Sequence, residues 1–157
     1  SGSQRSDSVF NGLKACKPNT KYVLIHDGAR AFCPPILFKN LSKNLLKLGG
    51  GVVPALPLVD TIVKLSDDQE SRIQQSLKRD KLRKVQTPQG FEYQLILKAY
   101  CIGRNTSFEG TDCSSYFLNA GYKVRIIQGS EENIKVTTPI DIEIAKHILR
   151  IRNHHKC

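Results

Sequence analysis

The stretch YVLIHDGAR, residues 22–30, passes from apolar residues into a carboxylate and a guanidinium within a few positions. Tyr22 to Ile25, with His26, reads as a buried strand, and Asp27, Gly28 and Arg30 stand at its C-terminal end. A lone carboxylate at a strand end suits Mg²⁺, which commonly takes one or two carboxylates and completes its shell with phosphate oxygens. Arg30 could clamp a phosphate through two parallel N–H groups, and Gly28 lets the backbone approach a ligand closely. The plainer alternative for Asp27 is a helix cap or an ion pair with Arg30. A second group lies in ENIKVTTP, residues 132–139. Lys135 sits between Ile134 and Val136, ahead of a helix start and beside Thr137 and Thr138, a place that suits an anion. A solvated lysine on an edge strand is the alternative there. Thr87 in QTPQ and Thr111 in GTD each put a hydroxyl at the end of an element, where a cap is the commoner use. Arg79 reads as a solvated charge, His26 as a hydrogen-bonded strand residue, and the His154-His155 pair as weak evidence for a metal.

These groups need elements to position them. Residues 5–16 predict a helix with Val9, Leu13 and Cys16 on one face. PPILFKNLSKNLLKL, residues 34–48, predicts a second, with prolines at its start and Ile36, Leu37, Leu41, Leu45 and Leu48 at helical spacing. Gly49, Gly50 and Gly51 end it. Strands follow at 52–58 and 61–65. Residues 66–84 are polar and charged and predict a protruding hairpin or loop. KVQTPQGF, 84–91, returns as a strand that stops at Pro88. Helices are predicted at 92–102 and at 111–121, the latter with Thr111 or Asp112 as cap and Gly121 after its end. Residues 122–129 alternate like a strand. Thr138-Pro139-Ile140-Asp141 reads as a capping box opening a last helix with Ile140, Ile144 and Ile148 four apart. Helices alternating with apolar strands predict a layered α/β fold, in which ligands bind beyond the carboxyl ends of the strands. Asp27 and Arg30 hold that kind of position.

The totals narrow the classes. A chain of 157 residues fits one domain with a real core. No apolar run approaches the roughly 20 residues that span a bilayer, and no signal-peptide pattern opens the chain, so a cytoplasmic-type protein is expected. The five cysteines form no CxxC pair and are odd in number, which speaks against a disulfide framework or a zinc site. A net charge of +10 would suit nucleic acid, but the lysines are scattered, Trp is absent and aromatics are only 7%, so phosphorylated ligands account for it as well. The chain contains no methionine, so Ser1 is not expected to be a native start: the chain reads as a fragment, a processed form or a trimmed piece, with Ser1 open to being a cloning remnant.

Six blocks, RSDSVFNGL, VLIHDGARAF, DTIVKL, VQTPQGF, GTD and NIKVTTPIDI, stand in an order that resembles the 2-C-methyl-D-erythritol 4-phosphate cytidylyltransferases over about residues 2–150. The resemblance implies a Rossmann-like nucleotidyltransferase fold, α/β/α, with a protruding β-arm at about 60–84. It implies transfer of the cytidylyl group of CTP to methylerythritol phosphate with Mg²⁺, releasing pyrophosphate, in the non-mevalonate synthesis of isoprenoid precursors. No covalent enzyme intermediate is needed: catalysis is positioning and neutralisation of charge. By position, Asp27 resembles the metal- and nucleotide-holding aspartate, and Gly28 and Ser8, with Gly2 nearby, resemble the cytidine and ribose contacts. Arg30, Thr87, Thr111 and Lys135 resemble the group around the sugar phosphate, Lys135 as the cation for the transferred-phosphate region. Glu132 stands where an acidic residue is often found. The arm implies a homodimer in which Thr61 and Arg79 reach the partner's site. The resemblance also implies a location in the cytoplasm, or in a plastid stroma in a plastid-bearing organism.

Three departures qualify it. Ala31 replaces the proline of HDAARPF, Cys113 replaces an acidic residue after Thr111-Asp112, and the family's opening strand and glycine-rich loop, with its arginine and lysine, have no counterpart here. Residues 1–157 are therefore read as the C-terminal two thirds of one nucleotidyltransferase domain, inactive or nearly so without that loop. Three alternatives stand beside this reading: a cytidylyltransferase for ribitol 5-phosphate or another polyol phosphate, a basic nucleic-acid-binding module, and a non-catalytic interaction domain that only dimerises through the arm.

Overall fold

The computed structural model describes residues 4–67 and 71–154. The elements in chain order are α1 (Arg5–Lys14), β1 (Tyr22–Ile25), α2 (Pro35–Leu48), β2 (Gly51–Pro57), β3 (Ile62–Leu65), β4 (Ile73–Leu77), a 3₁₀ turn (Arg79–Lys81), β5 (Arg83–Val85), β6 (Gln89–Glu92), α3 (Tyr93–Asn105), α4 (Cys113–Asn119), β7 (Val124–Gln128) and α5 (Pro139–His154). The main sheet is mixed. β6 runs antiparallel between β1 and β2, and β7 pairs parallel along the other edge of β2. The stretch expected as one strand at 84–91 is two. β5 pairs with Ala55–Pro57, the far half of β2, while β6 pairs with Gly51 and Val52 and carries on to β1. Pro54 sits where β2 changes partner, and its carbonyl accepts from Gln86 N–H at 2.8 Å. A central strand tolerates a proline there because the missing donor falls in the gap between β6 and β5.

Successive residues of β2 serve opposite faces. Val53 joins Phe91, Ile96, Tyr100 and Phe117 in the larger core, under α1, α3 and α4. Val52 joins Leu41 and Leu45 of α2 on the other face. The expected α/β/α layering is what forms. Each fully buried large apolar side chain contributes roughly 2 kcal/mol, and Phe91, Phe117, Leu41 and Ile96 are all completely buried. α2 lies close because Gly90 has no side chain: a Cβ there would stand 3.0 Å from Leu24 and 3.1 Å from Leu45.

Two helical stripes differ from expectation. In α2, Leu37, Leu41 and Leu45 are buried, but Ile36 and Leu48 face outward. In α5, Ala145 and Ile148 are buried, whereas Ile140 and Ile144 are exposed. In α5 the fourfold spacing drifts off the contact line; in α2 the fourfold row Leu37, Leu41 and Leu45 is the contact line, with Ile36 roughly a quarter turn away from Leu37 and Leu48 in the last turn. At α4 the cap is Asp112, not Thr111: its carboxylate accepts from Ser115 N–H at 2.8 Å, and Ser115 Oγ answers the Asp112 backbone. The helix ends as expected at Gly121, with φ +82°. Gly121 N–H bonds to Leu118 O and Tyr122 N–H to Phe117 O, the double closure of a Schellman motif. The polar segment is a hairpin: among the described residues β3 and β4 pair only with each other, in a separate two-stranded sheet.

Candidate active site

The end of β1 is fixed by a short chain of hydrogen bonds. Asp27 N–H donates to Thr87 Oγ1 at 3.0 Å, and Thr87 Oγ1 lies 3.0 Å from His26 Nδ1. His26 Nε2 lies 3.2 Å from the Arg30 carbonyl. With the imidazole proton on Nε2, all three bonds are satisfied: Thr87 donates to Nδ1 and Nε2 donates to Arg30. His26 is thus a framework residue. Arg30 N–H closes a turn on the Asp27 carbonyl at 3.0 Å.

The loop before α5 is brought to the same place. Arg30 Nη1 donates to the Asn133 carbonyl at 2.7 Å, and Val136 N–H donates to Ala29 O at 2.8 Å. Asn133 is fully buried, and its Nδ2 donates to Thr87 O at 2.8 Å. Gln86 uses both ends of its amide on Ser130, accepting from its N–H at 3.0 Å and donating to its carbonyl at 2.8 Å. These bonds place Lys135 Nζ 3.6 Å from Asp27 Oδ2. Lys135 is not presented by a helix terminus, as its neighbours suggest: the N–H groups of Thr137 and Thr138 are taken by the Asp141 carboxylate at 2.9 and 2.7 Å.

Asp27, Arg30, Thr87, Thr111 and Lys135 therefore line one cavity of about 170 Å³, and Arg5 and Asp112 complete its wall. A second cleft of about 280 Å³ continues from it past Arg30, Gln86 and Lys135 to Lys84 and Asp141. Arg5 escapes the sequence reading, because nothing in the letters shows that the first turn of α1 reaches a strand end 22 residues later. Its Nε and Nη2 donate to Asp27 Oδ1 at 3.0 and 2.9 Å. Partial burial pushes the Asp27 carboxyl up, but the Arg5 hydrogen bonds and charge, with Lys135 and Arg30 behind them, outweigh it and hold the group below the usual carboxylate range. Burial lowers Arg30, opposed by Asp27, and a guanidinium remains charged.

The other expected residues lie elsewhere. Ser8 is exposed on α1, one turn after Arg5. Gly28 has open space where a Cβ would stand, so the fold itself does not require glycine there. Glu132 turns from the cavity to Arg152, at 2.5 and 2.8 Å. Thr61 and Arg79 are exposed on the arm, where Arg79 donates to the Val59 carbonyl. Gly2 lies outside the described residues. Cys113 is buried, accepting from Tyr100 OH at 3.4 Å, and burial pushes its thiol up.

Among the described residues, no three His, Cys, Asp or Glu side chains cluster as a metal cage. The Asp112 carboxylate is committed to Gln89 at 2.7 Å and to Ser114 and Ser115. Asp27 keeps Oδ2 toward Lys135, beyond hydrogen-bond length. One carboxylate oxygen among cations fits a Mg²⁺ whose shell is completed by phosphate oxygens and water.

A mixed sheet between helical layers, with one carboxylate and several cations at its strand ends, defines an α/β domain of the nucleotidyltransferase type. The chain belongs to the 2-C-methyl-D-erythritol 4-phosphate cytidylyltransferase family (IspD), whose model matches residues 1–151. It is 41% identical over 151 residues to the enzyme of that name from Nostoc punctiforme, covering 96% of this chain and 65% of that protein. It is 43% identical over 154 residues to that of Alkaliphilus oremlandii, covering 96% and 63%. The chain thus spans just under two thirds of these relatives. The crystal structure of the Thermus thermophilus enzyme superposes with a TM-score of 0.83 at 30% identity, over 95% of this chain and 71% of that one. The 4-diphosphocytidyl-2C-methyl-D-erythritol synthase of Anaerococcus prevotii gives 0.83 at 34%, over 95% and 65%.

Proposed function

We propose that this chain carries the sugar-phosphate side of a cytidylyltransferase that joins CTP to 2-C-methyl-D-erythritol 4-phosphate, giving 4-diphosphocytidyl-2-C-methyl-D-erythritol and pyrophosphate. The observation that carries it is the meeting of Asp27, Arg30, Thr87, Thr111 and Lys135 at one cavity, in a chain of this family. A phosphate oxygen of the acceptor attacks the α-phosphorus of CTP. The bond from that phosphorus to the bridging oxygen breaks, and pyrophosphate leaves with the electron pair. No protein atom forms a bond, so the protein's work is alignment and charge neutralisation.

Asp27 would hold Mg²⁺, which when bound offsets the negative charge of the triphosphate. Lys135 holds the attacking phosphate against its own repulsion from CTP. Arg30, braced on the Asn133 carbonyl, binds the acceptor's phosphate. Thr87 keeps Asp27 in place through the backbone. Gly28 and Ser8, with Gly2, are assigned to the nucleoside. Thr61 and Arg79 act in the site of a second copy, with the arm as the dimer element; Val63, Leu65 and Ile73, apolar and exposed on that arm, favour such burial. No described helix is long and apolar enough to cross a membrane. A cytoplasmic or stromal location rests on the family reading alone.

Binding of methylerythritol phosphate and of ribitol 5-phosphate, measured calorimetrically with CTP and Mg²⁺ present, tests the assignment. Preference for methylerythritol phosphate, lost in Arg30→Ala and Lys135→Ala, is expected. Equal or reversed preference would select the polyol-phosphate alternative. Salt-sensitive binding of DNA without either ligand would select the nucleic-acid alternative.

A further inference from the structure

Arg5 contacts Asp27 in an uneven way. A guanidinium usually meets a carboxylate with one N–H on each oxygen. Here Nε and Nη2 both go to Oδ1, at 3.0 and 2.9 Å, while Nη1 lies 3.6 Å from Sγ of the buried Cys113. All three nitrogens are engaged, and the fork is anchored to the core at its far side. Oδ2 is left facing Lys135 Nζ at 3.6 Å. The bond from Asp27 N–H to Thr87 fixes the backbone, not the carboxylate. The orientation of the carboxylate therefore falls to Arg5.

We propose that Arg5 is a positioning residue: by holding Oδ1 on two N–H donors, it leaves Asp27 a single oxygen, Oδ2, for a divalent metal on a nucleotide, and stops the carboxylate from closing on Lys135. Asp27 is already ion-paired with Lys135 at 3.6 Å, and once freed a small rotation would shorten that contact to a direct hydrogen bond. Such a bond withdraws the metal ligand and the phosphate-binding ammonium together. Arg5 keeps the two apart by its hold on Oδ1. This rests on the reading of Asp27 as the metal–nucleotide carboxylate.

The test uses Mn²⁺ with CTP as a paramagnetic probe, reading the ternary complex by water-proton relaxation in wild type, Arg5→Gln, Arg5→Lys, Asp27→Asn and the Arg5→Gln/Asp27→Asn double variant. Removing a residue that orients a metal ligand typically costs 10- to 100-fold in metal affinity. Arg5→Gln should therefore weaken the Mn²⁺–CTP complex by about tenfold or more, by a larger factor than it weakens metal-free CTP binding, and have no further metal-dependent effect once Asp27 is Asn. Arg5→Lys should recover part of the loss, since one ammonium can still reach Oδ1. Arg5→Gln that melts like wild type and binds Mn²⁺–CTP equally well overturns the proposal, as does an undiminished effect in the Asp27→Asn background. Should Arg5→Gln not fold, Arg5→Lys decides it: wild-type affinity overturns, an intermediate loss supports. Absence of any complex with wild type removes the underlying reading and this inference with it. A wild-type complex indifferent to Arg5 removes the inference alone.

Discussion

Arg152 of α5 grips Glu132 with Nε at 2.8 Å and Nη2 at 2.5 Å, and the same Nη2 donates to the Phe32 carbonyl at 2.6 Å. One side chain thereby ties the loop that follows Asp27 and Arg30 to the loop that carries Asn133 and Lys135. Glu132 is part of this clamp, though its position suggests a substrate contact. The two side chains are 29% and 47% exposed, so the ion pair itself is worth at most about 1 kcal/mol. The bond to Phe32 adds about 1 kcal/mol. Arg152→Ala should lower Tm by roughly 2–8 °C in a chain of this size, and Glu132→Gln by less. Calorimetric melts check this. A substrate role for Glu132 would show instead as weaker binding of the acceptor at unchanged Tm in Glu132→Gln.

Asn133 is the second brace. Its side chain donates to the Thr87 carbonyl and its own carbonyl accepts from Arg30. Asn133→Ala leaves a buried carbonyl unpaired, a loss of about 1–3 kcal/mol. The denaturation midpoint should fall accordingly, and amide exchange should quicken over residues 130–136. A midpoint equal to wild type would show that water or a shifted loop replaces the bond.

Much of this framework is legible in the sequence, and the reason is local. Asp27 and Arg30 follow the apolar run of β1, so their placement beyond a strand end can be read directly; Thr87, in the break between β5 and β6, and Lys135, in the loop ahead of α5, are flagged only by type and neighbourhood. The partners that hold them are not legible. Gln86 meets Ser130, and Arg5 meets Asp27, across 44 and 22 residues, and no spacing rule reaches so far. The break between β5 and β6 is hidden for a related reason. Residues 84–91 look like one strand, but β2 offers them two separate pairing sites, and only the tertiary pairing reveals it. The isoleucines of α5 mislead because fourfold spacing drifts around a 3.6-residue helix, so Ile148 is buried and Ile140 is not.

The start of α5 carries a pH signature. The backbone N–H of Thr137, then the hydroxyl and N–H of Thr138, all donate to Asp141 and hold its carboxyl down to about 2. A carboxyl depressed on folding contributes stability that is present above its unfolded value and lost as pH falls through the folded one. The Asp141 contribution is therefore full at neutral pH and disappears between about pH 4 and pH 2. Asp141→Asn should melt below wild type at pH 7, and the gap should narrow across that window. A gap constant from pH 7 to pH 2.5 would assign the effect to packing instead of charge.

The arm supplies the last prediction. Arg79 and Thr61 lie outside the cavity formed by Asp27 and Lys135, and the hairpin they flank pairs, among the described residues, only with itself. If Arg79 acts in a second copy's site, Arg79→Ala and Lys135→Ala damage different halves of each site. Each variant alone should lose acceptor binding. Mixed and reassembled in equal amounts, half of the dimers are hybrids, and each hybrid holds one site with Lys135 from one chain and Arg79 from the other. About a quarter of the wild-type sites should reappear, as two-fold symmetry requires. Calorimetric titration of the mixture with the acceptor phosphate counts them. No recovery in a mixture shown by sedimentation to contain hybrids would place Arg79 in the same chain's site or outside it. Leu65→Lys with Ile73→Lys, which charges the exposed apolar residues of the hairpin, should separate the dimer and abolish the recovery, while circular dichroism shows the fold retained.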